Sequence, residues 1–365
     1  MKNRAVKYIC ILLSVFVGLG SLLSAIAFIC DPQNVYRWNE NGVRYFSPAH
    51  STPSAVKNYD YDLLIIGSSM VQNIDAKHLS DRMNCKPLKA TISAMTPSEL
   101  LWIYSCAQQQ DKARCYIISL DLHRFTANTA IEANAGRFPE YMYSAGGIKQ
   151  FKYLLGYETW FRFIPLQLAL SAVEALNIPL PSSFSNAIRS ATDINNTCEW
   201  NNTVTPGEET LYKRYINNES AFNEGDTSDF SDRSAESITT FLAAIESELD
   251  NDEELILLLP AYSALYWAKF SEKETETLFE MRLKIAEFAD KYTNVKLIDL
   301  QGEDFTTDLN LYVDSNHCAY ELQKEIDEII ISQSVDCSLK DVEKNNAQIS
   351  EHTEYIRQQA KLRAE

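Results

Sequence analysis

Tyr61-Asp62-Leu63-Leu64-Ile65-Ile66-Gly67-Ser68-Ser69-Met70 begins with an unbroken β-prone apolar run and breaks at a glycine. A strand with one wet face alternates apolar and polar residues, whereas a continuous run suits a strand covered on both faces of a parallel sheet. Similar runs recur at Leu88 to Ser93, Cys115 to Leu120, Leu255 to Leu259 and Val295 to Leu300. Helix-like segments near 74–84, 97–110, 235–249 and 272–291 separate them, and a last helix is expected from about Tyr320 to Ser332. This alternation predicts an α/β fold, a three-layer sandwich around a central parallel sheet with right-handed crossovers.

Upstream, Tyr8 to Cys30 carries no charged residue, and Lys2, Arg4 and Lys7 precede it. Such a run can cross a bilayer, and its basic flank stays on the cytoplasmic side, which places everything after Asp31 outside. The alternative is a signal peptide cleaved near Ala25-Ile26-Ala27, giving a secreted protein. The apolar run exceeds the usual signal-peptide core of roughly 7–15 residues, which favours an uncleaved transmembrane anchor. Cys30 does not read as a lipidation site, because the bulky Ile29 precedes it.

The chain has 365 residues, 45% of them hydrophobic and 11% aromatic, enough to bury a full core. Its 33 basic and 50 acidic residues leave a formal net charge of -17. That balance excludes a sequence-independent grip on nucleic acid phosphates. Eight cysteines permit disulfides in an exported domain, with buried thiols as the equal alternative. No Cys-x-x-Cys metal spacing occurs, and neither a metal nor a cofactor is expected.

The expected organisation is an anchor over 1–30, a linker over 31–58, an α/β domain over 59–335 and a charged helical tail over 336–365, solvated or partner-binding. An insertion over about 124–234 interrupts the domain between the third and fourth strands. It is aromatic early, and Trp160 to Leu176 suits core packing, a cap helix over the site or a helix resting on the membrane surface. Downstream, Glu219 to Glu254 holds twelve acids against the single base Arg233, the pattern of a solvated face. Sequons begin at Asn195, Asn201 and Asn218.

Open parallel sheets bind ligands beyond the carboxyl ends of their strands. After the first run come Gly67-Ser68-Ser69-Met70, where a serine on a strand-to-helix turn can expose its hydroxyl near backbone N–H groups that favour negative charge. A plain packing turn has the same composition. Such a serine needs a base, and the candidates are His50, His78, His123, His317 and His352. His317 stands out because Asp314, three residues upstream, can orient its imidazole, although Asp-x-x-His also serves as a helix cap.

Together, Ile66-Gly67-Ser68-Ser69 and Asp314-x-x-His317 resemble the first and last blocks of the SGNH (GDSL-like) hydrolase superfamily, across roughly residues 60–130 and 254–332. The resemblance implies that family's flavodoxin-like sandwich, with Ser69 as nucleophile, His317 as general base and Asp314 as its orienter. Ser68 then stands at the family's aspartate, the variant found in extracytoplasmic members such as the D-alanyl transfer protein DltD and the alginate O-acetylation proteins. Ile92-Ser93-Ala94-Met95 resembles the second block, with Ala94 in place of an oxyanion-hole glycine. In Ser119-Leu120-Asp121-Leu122-His123, Asp121 replaces the usual Asn; a carboxylate cannot donate to an oxyanion, so it orients a neighbour or meets substrate. His123 is a candidate for binding a polar substrate or for holding the loop.

The resemblance implies O-acyl transfer, of acetyl or D-alanyl type, onto a cell-envelope glycan or teichoic-type polymer through an acyl-enzyme. A membrane-bound O-acyltransferase partner follows from the same resemblance. Two alternatives stay open: an esterase or deacetylase with the same triad and water as acceptor, and a catalytically silent envelope scaffold.

Overall fold

The apolar amino-terminal run forms a helix, α1 (Lys2–Cys30), and each of the five apolar runs beyond it contributes a strand to one sheet. These are β1 (Leu63–Gly67), β2 (Pro87–Thr91), β3 (Cys115–Ser119), β4 (Glu254–Leu259) and β5 (Val295–Asp299). The computed structural model describes residues 2–37, 43–45, 48–125, 139–143, 147, 150–179, 188–190, 205–217, 232–333 and 335–365. They divide into two compact units, Met1–Tyr59 with Phe138–Ile194, and Asp60–Arg137 with Asn195–Glu365.

In the second unit the strands lie in the order β2-β1-β3-β4-β5, and every pairing is parallel. Leu63, Leu64, Ile65 and Ile66 are each at most 1% exposed, so both faces of β1 are covered, as its unbroken apolar run requires. The chain passes from β1 to β2 on one side and then returns past β1 to β3. The topological switch therefore lies between β1 and β3, where sheets of this kind leave a crevice.

Helices α2 (Ala76–Met83), α3 (Pro97–Gln108), α4 (Asp232–Glu248), α5 (Glu272–Ala289) and α6 (Tyr320–Ser332) fall where the periodicity expects them. Their starts are written locally. Thr96 and Glu99 form a capping box around Pro97, the first residue of α3, and Ser271 and Glu274 form another at the head of α5. Helix α2 packs on α6, and α4 packs on both α3 and α5.

The charged tail is a helix, α7 (Leu339–Ala364), docked against α5 and the short helix Ala264–Ala268. Val342, Asn346, Ile349, Thr353, Ile356 and Ala360 form its buried stripe, so this segment is part of the unit's core and is not a solvated helix. Below it, the wholly buried Arg282 donates to Asn346 Oδ1 at 2.6 Å, to Gln301 and to the buried carboxylate of Asp299. Breaking a buried ion pair from one side strands the other charge. Asp299→Ala is expected to lower stability by about 3–5 kcal/mol, read as a fall in the urea midpoint of the full chain in detergent. An unchanged midpoint would show that Gln301 and Asn346 suffice for the guanidinium.

The first unit differs from the expected linker and single insertion. Residues 31–37 turn sharply at the end of α1, where the buried Asp31 carboxylate accepts the N–H groups of Val35 (2.7 Å), Tyr36 and Arg37 (both 3.0 Å). The helix Pro48–Asn58 buries Ser51, Thr52 and Ser54, and Ser51 donates to Gln33 Oε1 at 2.6 Å. Satisfied polar groups build this region, so it carries little hydrophobic period. Val43–Tyr45 pairs antiparallel with Ile188–Ser190.

The expected insertion is divided between the two units. The helix Glu208–Ile216 belongs to the second, where Leu211 and Tyr212 enter the core and Arg363 of α7 reaches Glu208 at 2.6 Å and Glu209 at 3.1 Å. The three sequons, Cys198 and the acid-rich stretch before Asp232 lie outside the described residues. None of the seven described cysteines forms a disulfide.

Candidate active site

At the carboxyl end of β1 the backbone needs glycine for want of space. A Cβ on Gly67 would lie 2.7 Å from Val71 Cγ2 and 2.8 Å from Ser119 Cβ, so only hydrogen lets the ends of β1 and β3 close on each other. The chain then enters a single 3₁₀ turn, Ser69–Val71, capped by Ser68, whose Oγ accepts the Met70 N–H at 3.3 Å. Consecutive residues on such a turn point different ways. Ser68 is buried, while Ser69 is half-buried at the edge of a cleft.

Ser69 Oγ lies 2.9 Å from His317 Nε2, across 248 residues of sequence. The other ring nitrogen, Nδ1, lies 2.8 Å from Asp314 Oδ2, and Asp314 Oδ1 accepts the N–H groups of Asn316 and His317, both at 2.8 Å. Asp314 thus caps its own loop and holds the imidazole with one carboxylate. Burial, the largest single influence, pushes its carboxyl up, but His317 and the two N–H groups together outweigh it and hold the pKa below the usual aspartate value. The loop itself is cinched by the Tyr312–Cys318 bridge and by Ser263, whose hydroxyl donates to the Ser315 carbonyl at 2.7 Å.

Asp121 follows β3 and sits behind Ser68. It is buried, accepts the Tyr262 hydroxyl at 2.5 Å and also accepts the hydroxyl of Ser68. Burial pushes its carboxyl above the usual range, against those two hydroxyls, which favour the ionised form. With Ser68 turned inward to Asp121 and Ser69 turned to His317, the adjacent serines have distinct partners. His123 Nδ1 lies 3.0 Å from the Tyr266 hydroxyl, and burial pushes its imidazole well below the ordinary histidine value, which keeps it neutral.

Ala94 has φ +56°, a left-handed conformation that glycine adopts freely and a Cβ disfavours by about 1–2 kcal/mol. It borders the same cleft, with Ser93 held to Gln72 Nε2 at 3.2 Å. The cleft has a volume of about 370 Å³ and an open mouth, and Ser69, Ala94, Asp121, His123, Tyr262 and His317 all line it. That size suits a small ligand or one residue of a polymer.

Of the residues singled out from the sequence for this site, Ser69, Ala94, Asp121, His123 and His317 border one cleft, and Asp314 joins it through its bond to His317. The remaining histidines do not: His50 stacks edge-on to Phe163 in the first unit, His78 meets Glu328 at 2.6 Å, and His352 meets Thr306 at 3.1 Å. Among the described residues no cluster of His, Cys, Asp and Glu has the geometry to hold a metal ion. Tyr262, Ser263 and Tyr266 escaped the sequence reading. Their signal was their place just after β4, in Pro260-Ala261-Tyr262-Ser263, at the same edge of the sheet as Ser69 and Asp121. The chain matches no family model and none of the curated proteins.

Proposed function

We propose that this protein is a serine acyl-ester enzyme of the SGNH hydrolase type, with Ser69 as nucleophile, His317 as general base and acid, and Asp314 as the residue that orients His317. One observation carries the reading: a serine hydroxyl, an imidazole and a carboxylate lie in series at 2.9 and 2.8 Å at the mouth of a cleft. A serine so placed loses its proton to the base as it attacks, and the carboxylate stabilises the imidazolium that forms.

Ser69 Oγ bonds to the carbonyl carbon of an acyl ester, its proton passes to His317 Nε2, and the carbonyl π pair moves onto oxygen. The backbone N–H groups of Ser69 and Ala94 are the donors at hand for that oxyanion. As the tetrahedral species collapses, the ester C–O bond breaks and the departing alkoxide takes the proton from His317, leaving an acyl-Ser69. An incoming hydroxyl then gives its proton to His317, attacks the acyl carbon and releases Ser69, which recovers the proton. In this scheme Asp121 positions Ser68, while His123 contributes a neutral polar wall to the substrate side.

The order of strands, β2-β1-β3-β4-β5, with the serine after β1 and the histidine loop before the last sheet-flanking helix, agrees with the flavodoxin-like sandwich of that superfamily. α1 is long and apolar enough to cross a membrane, with mean hydropathy 2.5, and the basic residues before it favour an anchor whose catalytic domain lies outside the cytoplasm. For an anchored domain of this kind the acceptor is a hydroxyl of a cell-envelope glycan or teichoic-type polymer, and a membrane-bound O-acyltransferase is the source of acyl groups. The open mouth of the cleft favours a second reading, in which water is the acceptor and the enzyme is an esterase or deacetylase.

Both readings pass through the same intermediate. Rapid quenching of the full chain with a small acetyl ester should therefore add one acetyl group to the peptide containing Ser69. Adding a soluble glycan acceptor should then divert product from free acetate to the acetylated sugar if transfer is the function, and leave acetate as the product if hydrolysis is. With no adduct and no turnover on esters of several acyl lengths, the enzyme reading fails and a silent envelope scaffold takes its place.

A further inference from the structure

The last three turns of α1 have one side covered. Gly20, Leu23, Ser24, Ala27 and Cys30 are buried or half-buried, at the spacing of a single helix face, while the residues around them are exposed. Part of the cover is the helix Phe151–Leu154, on which α1 packs. The junction is tied beyond the helix end as well. Phe28 meets the Tyr36 ring at 4.7 Å, Tyr36 meets Tyr153 at 6.2 Å, and the Tyr153 hydroxyl accepts the Gln33 N–H at 3.2 Å.

At 1.5 Å per residue, Gly20 to Cys30 covers about 15 Å of helix axis, roughly half of a hydrocarbon core about 30 Å thick. Elements packed alongside those turns are therefore held at the depth of one leaflet if α1 spans the bilayer. The segment that follows Phe151–Leu154 has the surface such a place requires. Phe151, Leu155, Tyr157, Phe161, Leu168 and Leu176 are exposed, and Tyr157 and Phe161, at 75% and 71% exposure among the described residues, stack on each other at 4.9 Å. The opposite side of the segment supplies Tyr153, Phe163 and Ile164 to the interior of its unit, so its apolar residues face two ways. Exposed Lys152 adjoins Phe151 in the chain, and exposed Arg37 lies over the Phe28 ring of α1 at 4.8 Å, as basic side chains do where an apolar body meets headgroups.

We propose that residues 151–178 form an interfacial membrane seat, embedded beside α1 in the leaflet into which α1 emerges, with lipid as the occupant of the exposed apolar face. The inference rests on the reading of α1 as a membrane span. With such a seat the first unit is clamped to the bilayer by two contacts in place of one flexible tether.

The test is to reconstitute the full chain in vesicles containing a phospholipid with a photoactivatable acyl chain, irradiate, and map lipid adducts by peptide mass. Adducts are expected on peptides from α1 and on peptides from 151–178. In Phe161→Asp/Leu168→Asp, which changes two exposed positions, adducts on 151–178 should fall about tenfold or more, with α1 labelling and the circular-dichroism melting curve unchanged. Labelling of α1 alone in the wild-type chain, or labelling of 151–178 that the double variant does not reduce, overturns the seat and leaves the span standing. Absence of label from α1 overturns the span and the seat with it.

Discussion

Ser69→Ala is expected to abolish labelling by a fluorophosphonate probe, Ser68→Ala to keep it, and His317→Ala to reduce it nearly to background. The adjacent serines are a demanding control, because they share chemistry and differ only in their partners. Ser68 Oγ is held by Asp121 and the Met70 N–H, whereas Ser69 Oγ faces His317 Nε2 at 2.9 Å. An alanine at either triad position removes the activated nucleophile or its base, so ester turnover should fall on the order of 10⁴-fold or more. Substrate affinity should hardly move. Ser68→Ala loses a buried hydrogen bond and is expected to weaken the turn by about 1 kcal/mol without eliminating the reaction. Persistence of labelling in Ser69→Ala, at the wild-type rate and on the same peptide, would transfer the nucleophile to Ser68 and overturn the assignment.

Asp314→Asn is expected to lower kcat by about 10⁴-fold while leaving KM within a few-fold. The amide can turn its NH₂ toward His317 Nδ1, which selects the tautomer protonated on Nε2, and that nitrogen can then no longer accept the Ser69 proton. The same carboxylate resists mild acid. Its pKa lies below the ordinary aspartate value of 3.8 in the folded chain, so Asp314 stays ionised as pH falls from neutrality to that point. The stability it contributes is present above pH 3.8 and is lost only as pH drops through the lower folded value. Loss of activity at milder acidity is therefore not expected to come from Asp314 itself. An Asp314→Asn variant with normal kcat would remove Asp314 from this role.

Lipid in the seat and substrate in the cleft are separate questions, because the seat belongs to the first unit and the triad to the second. The double variant at Phe161 and Leu168 tests the membrane contact without altering a residue of the cleft.

Local sequence determined the elements that carry their reason within a few residues. Leu63-Leu64-Ile65-Ile66 could hardly be other than a strand covered on both faces, and Thr96-Pro97 with Glu99 marks the head of α3 by its own hydrogen bonds. Ser69 and His317 were legible too, because position after a strand and an acid at Asp314 are both short-range signals. Asp121 and His123 could be seen as candidates, yet their partners could not. Tyr262 and Tyr266 reach them only because β4 lies beside β3, a pairing that depends on distant residues and leaves no period in the chain.

The tail shows the same limit from the other side. Its stripe from Val342 to Ala360 has the spacing of a buried helix face, but Asn346 and Thr353 occupy two of its positions and charged residues crowd the rest, so hydropathy reads it as solvated. What makes Asn346 a core residue is the guanidinium of Arg282, and what makes Arg282 tolerable there is Asp299. Residues 31–37 and the helix Pro48–Asn58 read as linker for the same reason, because hydrogen bonds, which hydropathy does not register, hold them. Apolar period is a property of neighbours in sequence and could be read directly, whereas satisfaction of buried polar groups is a property of neighbours in space and was decided only when the chain closed on itself.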